Sequence, residues 1–150
     1  TGNTLCLYQL VEKHGEILYN LIKDKIKDDR KVFFIHGGVS AAEREEVRAI
    51  TEKENDAIII ASYGTFSTGI NIRNLHNVVF ASPSKSRIRN LQSIGRGLRL
   101  GDSKTHAKLY DISDDLTHNE RMNYTLKHFE ERVKIYNEEQ FEYEIHNVEI

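Results

Sequence analysis

Five short apolar runs alternate with stretches of helical spacing, and the run AIIIAS, Ala57 to Ser62, constrains the fold most. Nearly every position in it is apolar, which suits a strand covered on both faces and excludes one with a wet side. TLCLYQL (Thr4 to Leu10), KVFFIHG, NVVFAS (Asn77 to Ser82) and AKLYDIS read as further strands. Between the first two, Ile17, Leu18, Leu21, Ile22 and Ile26 keep a helical period. Ser40 and Glu43 form a capping box that opens a helix running to about Lys53. Strand and helix in this order predict an α/β fold, a mostly parallel sheet with helices on both faces, in a single domain over residues 1–150. A long helix carries Met122, Leu126, Phe129, Val133 and Tyr136 on one stripe. With the alternating FEYEIHNVEI after it, it gives residues 116–150 the form of a C-terminal helix plus a terminal strand.

Composition narrows the setting. Cys6 is the only cysteine, so no intrachain disulfide can form and a reducing, cytoplasmic compartment fits. No two of the seven histidines lie three to five residues apart, which removes the commonest helical metal-ligand spacing, and no metal site is expected. No apolar run approaches the roughly 20 residues that span a bilayer, so no membrane partner is expected. The formal net charge of −2 hides an uneven distribution. Ser84 to Lys108 carries +6, while Leu109 to Ile150 carries −7, so the basic segment can meet phosphate although the whole chain is slightly acidic.

In parallel α/β sheets ligands gather beyond the carboxyl ends of the strands, so the residues just after each strand are the candidates. After the second strand, HGGVSAAERE places His36, Gly37 and Ser40 before a helix whose free amides and dipole favour a phosphate. After the third, SYGTFSTGINIRNL offers the hydroxyls of Ser62, Thr65, Ser67 and Thr68 beside Gly64 and Gly69. A polar turn that satisfies its own backbone has the same composition.

After the fourth strand comes QSIGRGLR, in which Gln92, Arg96 and Arg99 share one helical face while Ile88, Leu91, Ile94 and Leu98 form the apolar side. Gly95 and Gly97 each cost about 1 kcal/mol in a helix interior, a sacrifice that makes sense where another surface must come close. Arginine matches phosphate geometry with its planar fork, but the spacing does not distinguish a nucleotide from a nucleic-acid backbone. No G-x-x-x-x-G-K-[ST] loop occurs, so the chain is not expected to cradle and split ATP by itself.

With these residues in view, the chain resembles the second, C-terminal RecA-like domain of superfamily-two helicases and translocases over roughly residues 1–115. QSIGRGLR looks like motif VI, with Gln92, Gly95, Arg96 and Arg99 in place. SYGTFSTGINI is similar to motif V through Gly69 and Asn71, and HGGVSAAERE resembles the segment after motif IV through His36, Gly37, Glu43 and Arg44. Within that superfamily ASYGTFSTGINIRNLHNVVFASPSKS and ERVKIYNEEQFEYEI are most similar to the phage recombination and fork-regression helicases. Restriction translocases and XPB-type repair helicases are the neighbouring families.

The resemblance implies an ATP-dependent DNA helicase or translocase, in which ATP and Mg are shared with a partner N-terminal RecA-like domain and none is held tightly by this chain. Arg96 and Arg99 would act as catalytic arginine fingers, with Gln92 orienting them. Gly69, Asn71 and Gly95 would serve the nucleotide, and Ser62, Gly64, Thr65, His36, Gly37 and Ser40 the DNA backbone. It also implies a phage-infected bacterial cell as the setting and an inactive isolated domain. The other function class open at this point is a non-catalytic α/β module that binds nucleic acid or protein through the same helix ends and arginines.

Overall fold

The computed structural model describes residues 2–67, 72, 74–82, 107–119 and 121–149. Within them the chain divides into two compact units, Thr1–Ile112 and Ser113–Ile150.

The first unit is built on a five-stranded sheet: β1 (Thr4–Tyr8), β2 (Val32–Ile35), β3 (Ile58–Ser62), β4 (Asn77–Phe80) and β5 (Lys108–Asp111). The spatial order is β2-β3-β1-β4-β5 and every pairing is parallel, as the alternating pattern requires. Between strands run α1 (Glu16–Lys25), α2 (Ala41–Thr51) and the short α3 (Tyr63–Ser67). Each strand is shorter than its apolar run: β1, β2, β4 and β5 end before the run does, and β3 begins one residue into it.

Side chains alternate across the sheet. Cys6, Tyr8 and Ile60 face Val11, Leu18, Tyr19 and Ile22, so α1 and the turn before it cover that side. On the other side Leu5, Leu7, Ile35, Ile59, Val78 and Phe80 are buried as well, the two-sided burial that the run at 57–62 demanded. Of the apolar positions on α1, only part turns inward: Ile17 and Leu21 stay 62% and 51% exposed. Burial pushes the Cys6 thiol up to about 11, so it stays protonated and inert at neutral pH.

Between β1 and α1 the chain makes a π turn, Val11–Gly15, in which the amides of His14 and Gly15 both donate to Leu10 O at 3.0 Å. Its cause is steric. The buried Tyr8 ring lies so close to Gly15 that a Cβ there would sit 2.5 Å from Tyr8 Cζ. Only glycine lets the turn close over the ring, whose hydroxyl donates to Ile35 O at 3.2 Å.

The second unit contains α4 (Tyr124–Glu138). At its start Asn123 Nδ2 donates to Asp114 O at 2.8 Å while Asn123 Oδ1 accepts from Leu116 N at 3.0 Å, which ties the preceding loop to the helix. The expected terminal strand is corrected here: residues 141–149 form no strand. The helix ends in a Schellman turn, Gln140 N donating to Asn137 O at 3.1 Å and Phe141 N to Tyr136 O at 2.9 Å. That turn reverses the chain, and Phe141 and Tyr143 then lie against Tyr136 at 6.3 and 6.1 Å between ring centroids. The alternation that reads as a strand is an extended tail laying alternate rings on a helix.

Gln140 adopts φ +56° at the position where glycine is the usual residue. A left-handed conformation costs a non-glycine residue about 1 kcal/mol. Gln140→Gly is therefore expected to raise stability by about that amount in urea denaturation, and a loss of stability would contradict the assigned turn.

Candidate nucleic-acid interface

The register brings the strand ends to one edge. Ile35 pairs with Ala61, Tyr8 with Ser62, and Leu7 with Phe80, so the loops after β1, β2, β3 and β4 leave the sheet at nearly one level. His36, one residue beyond Ile35, and Ser62, one residue beyond the Ala61 that Ile35 pairs with, thus stand side by side on β2 and β3. The sequence candidates His36, Gly37, Ser40, Ser62, Gly64 and Thr65 are all gathered on this rim. Gln92, Gly95, Arg96, Arg99, Gly69 and Asn71 lie outside the described residues.

The first loop is held from within. His36 Nδ1 accepts from Gly38 N at 3.1 Å, and the imidazole lies 5.2 Å from the Phe34 ring between centroids. Val39 N donates back to His36 O at 3.0 Å. From the first turn of α2, Arg44 Nε donates to Val39 O at 2.9 Å and Nη2 to Gly37 O at 3.5 Å. The guanidinium thus clasps the loop that its own helix follows.

The capping box is complete: Glu43 N donates to Ser40 Oγ at 3.2 Å, while Ser40 N and Ser40 Oγ donate to Glu43 Oε2 at 2.9 and 2.6 Å. These bonds, the Ser40 hydroxyl first, hold the Glu43 carboxyl below its ordinary value. A group lowered in this way adds stability above the usual carboxylate range and loses it as pH falls through its folded value. It also means that Ser40 meets a phosphate with its hydroxyl already committed to a carboxylate.

In the second loop Thr65 N donates to Ser62 Oγ at 3.2 Å, and the two hydroxyls lie 2.7 Å apart. Thr65 is only 5% exposed, so it shapes this loop more than it faces solvent. The glycines differ from Gly15. A Cβ added at Gly37 or at Gly64 would meet no atom within 4 Å. Nothing in the described fold requires glycine at either place.

Two rim residues escaped the sequence reading. Gln9 N donates to Ser82 Oγ at 2.8 Å, joining the ends of β1 and β4. Both stand one or two residues past a strand, so the strand-end rule could have found them. Asn3, at the opposite end of the sheet, gave no signal at all, because its partners are 48 to 73 residues away.

The comparisons fit this architecture. Residues 1–101 match the model of the helicase conserved C-terminal domain. The chain belongs to the helicase conserved C-terminal domain family. This helicase C-terminal domain is 37% identical over 147 residues to the ATP-dependent DNA helicase uvsW of Enterobacteria phage T4, a match covering 91% of the chain and 29% of the relative. The crystal structure of T4 UvsW superimposes with a TM-score of 0.74 at 36% identity, over 92% of this chain and 29% of that one. Domain 2 of the DEAD-box helicase Mss116p, solved bound to an RNA duplex, shares the fold with a TM-score of 0.61 at 18% identity, over 76% of this chain and 43% of that one. The helicase C-terminal domain thus spans less than a third of the length of the curated relative it matches.

Proposed function

We propose that the chain is the C-terminal motor domain of an ATP-dependent DNA helicase or translocase that remodels branched DNA in recombination or repair. Both compact units are assigned to that one domain. It works with an N-terminal RecA-like domain of the same protein, in the cytoplasm of a phage-infected bacterium, the setting suggested by its likeness to a phage helicase. The observation that supports this most is the single rim on which the loops after β2 and β3 emerge side by side, presenting His36, Gly37, Ser62 and Gly64 together.

In this reading the N-terminal domain holds ATP, whose terminal phosphoryl group is transferred to water. Among the described residues no cluster of His, Cys, Asp or Glu could hold a metal ion, and magnesium is assigned to the partner domain. Gly69, Asn71 and Gly95 line the nucleotide cleft, Gln92 orients Arg96 and Arg99, and those two arginines meet the charge developing on the transferred phosphoryl group. The strand backbone runs over His36, Gly37, Ser40, Ser62, Gly64 and Thr65, contacts that position it without reading sequence. Opening and closing of the two domains shifts that grip along the strand.

The open space at Gly37 and Gly64 supplies the test. Among the described residues an added methyl meets no atom within 4 Å, and within α3 alanine favours the helix over glycine by up to about 1 kcal/mol. A strand pressed against these positions meets the methyl directly. Gly64→Ala in the two-domain protein is expected to hold or raise the melting temperature while weakening strand binding about tenfold in fluorescence anisotropy. Unchanged affinity in both Gly37→Ala and Gly64→Ala would remove the strand from this rim.

A further inference from the structure

The two arms of the rim are tied together at their far ends by one side chain. Asn3 is fully buried just before β1, and its Nδ2 donates to Thr51 O at 2.9 Å, Glu54 O at 2.8 Å and Asn74 O at 2.8 Å. Its Oδ1 accepts from Ala57 N at 2.9 Å, where the chain enters β3. Its backbone N donates to His76 Nδ1 at 3.0 Å, and its backbone O accepts from His76 N and Asn77 N at 2.9 and 3.1 Å. Asn74 adds a second grip, its Nδ2 donating to Glu54 O at 2.9 Å and Glu52 O at 3.4 Å. Gly2, at φ +104°, lets the chain run against the His76 side chain, where an added Cβ would come within 2.6 Å of His76 Cβ and 2.8 Å of Cγ.

Two of these partners stand at the far ends of elements whose other ends lie in the candidate interface. α2 starts at Ser40, in the first loop, and ends at Thr51 beside Asn3. β3 itself runs from the Asn3 contact at Ala57 to Ser62.

We propose that Asn3 is a positioning residue for the interface, setting from the amino end of the sheet the height of α2 relative to β3. A shift of either along the sheet would move one loop of the rim against the other. This role deepens the strand-binding reading and rests on it for its effect on nucleic acid. The positioning itself is read without any ligand. Loss of a buried asparagine that only stabilised the fold would lower stability and leave the folded rim unchanged.

The experiment compares native-state hydrogen exchange in the full-length protein carrying Asn3→Ala, Asn74→Ala or, as a core control remote from the rim loops, Val78→Ala. The reporters are the amides of Gly38, Glu43 and Thr65, which are bonded inside the two loops. Asn3→Ala is expected to speed their exchange at least tenfold and Asn74→Ala severalfold, while Val78→Ala lowers the melting temperature and leaves them unchanged. If Asn3→Ala does not fold, Asn74→Ala carries the same comparison. Unchanged exchange in the folded asparagine variants, or an equal change in Val78→Ala, would overturn the proposal. A parallel titration with single-stranded DNA is expected to show at least fivefold weaker binding by Asn3→Ala. Wild-type protein that fails to bind the strand would sink the interface reading, while the exchange result would still decide the role of Asn3.

Discussion

Replacing Arg96 or Arg99 by alanine in the protein that carries both motor domains is expected to reduce DNA-stimulated ATP hydrolysis by about 10³-fold or more. The size of the effect follows from what an arginine does at a transferring phosphoryl group. Negative charge spreads over its oxygens in the transition state, and a planar guanidinium that is charged at every working pH meets it without waiting for solvent to reorganise. The isolated chain is not expected to show the effect, since its sequence has no G-x-x-x-x-G-K-[ST] loop. Strand affinity in the absence of nucleotide is expected to change little, because the proposed function gives the rim residues and the arginines different phosphates. Steady-state hydrolysis with saturating DNA separates the two, and survival of full activity in both variants would remove the arginines from the nucleotide pocket.

Tyr8→Ala is expected to cost about 3 to 5 kcal/mol of folding stability, the range for deleting a large buried ring. Against the 5 to 15 kcal/mol that holds a typical domain together, that is enough to leave a marginal fold. Tyr8 is fully buried in β1, packs with Cys6 and Ile60 under α1, and stacks 5.8 Å from Phe34. The same ring explains the glycine in the π turn, which makes the assignment testable by a double-mutant cycle. Gly15→Ala should cost about 1 to 3 kcal/mol in the intact protein, where its methyl would strike the ring. In the Tyr8→Ala background that methyl enters the vacated space, and the cost should largely disappear. Additive effects in urea denaturation would mean that the ring does not dictate the turn.

The sheet was legible because a parallel strand covered on both faces must be apolar at nearly every position, and Ile58, Ile59 and Ile60 have few other ways to be satisfied. The capping box was equally plain, since Ser40 and Glu43 meet through local bonds that need no distant partner. The tail was misread for a physical reason. Phe141, Tyr143 and Ile145 alternate whether they pack on a sheet or against a helix, and the usual glycine signal for the reversal was missing because Gln140 takes the left-handed position. Strand-end residues could be named in advance, although the pairing of the Ser62 and Thr65 hydroxyls could not. Asn3 was invisible because the carbonyls it gathers come from two distant stretches of chain, residues 51–54 and Asn74.

The central claim is that this domain completes a nucleotide pocket that another domain begins. ATP hydrolysis measured with and without DNA, for residues 1–150 alone and for the protein joined to its N-terminal RecA-like domain, tests it most directly. Hydrolysis is expected only in the joined protein and only at a high rate when DNA is present. Turnover by residues 1–150 alone, or a joined protein whose hydrolysis ignores DNA, would contradict it.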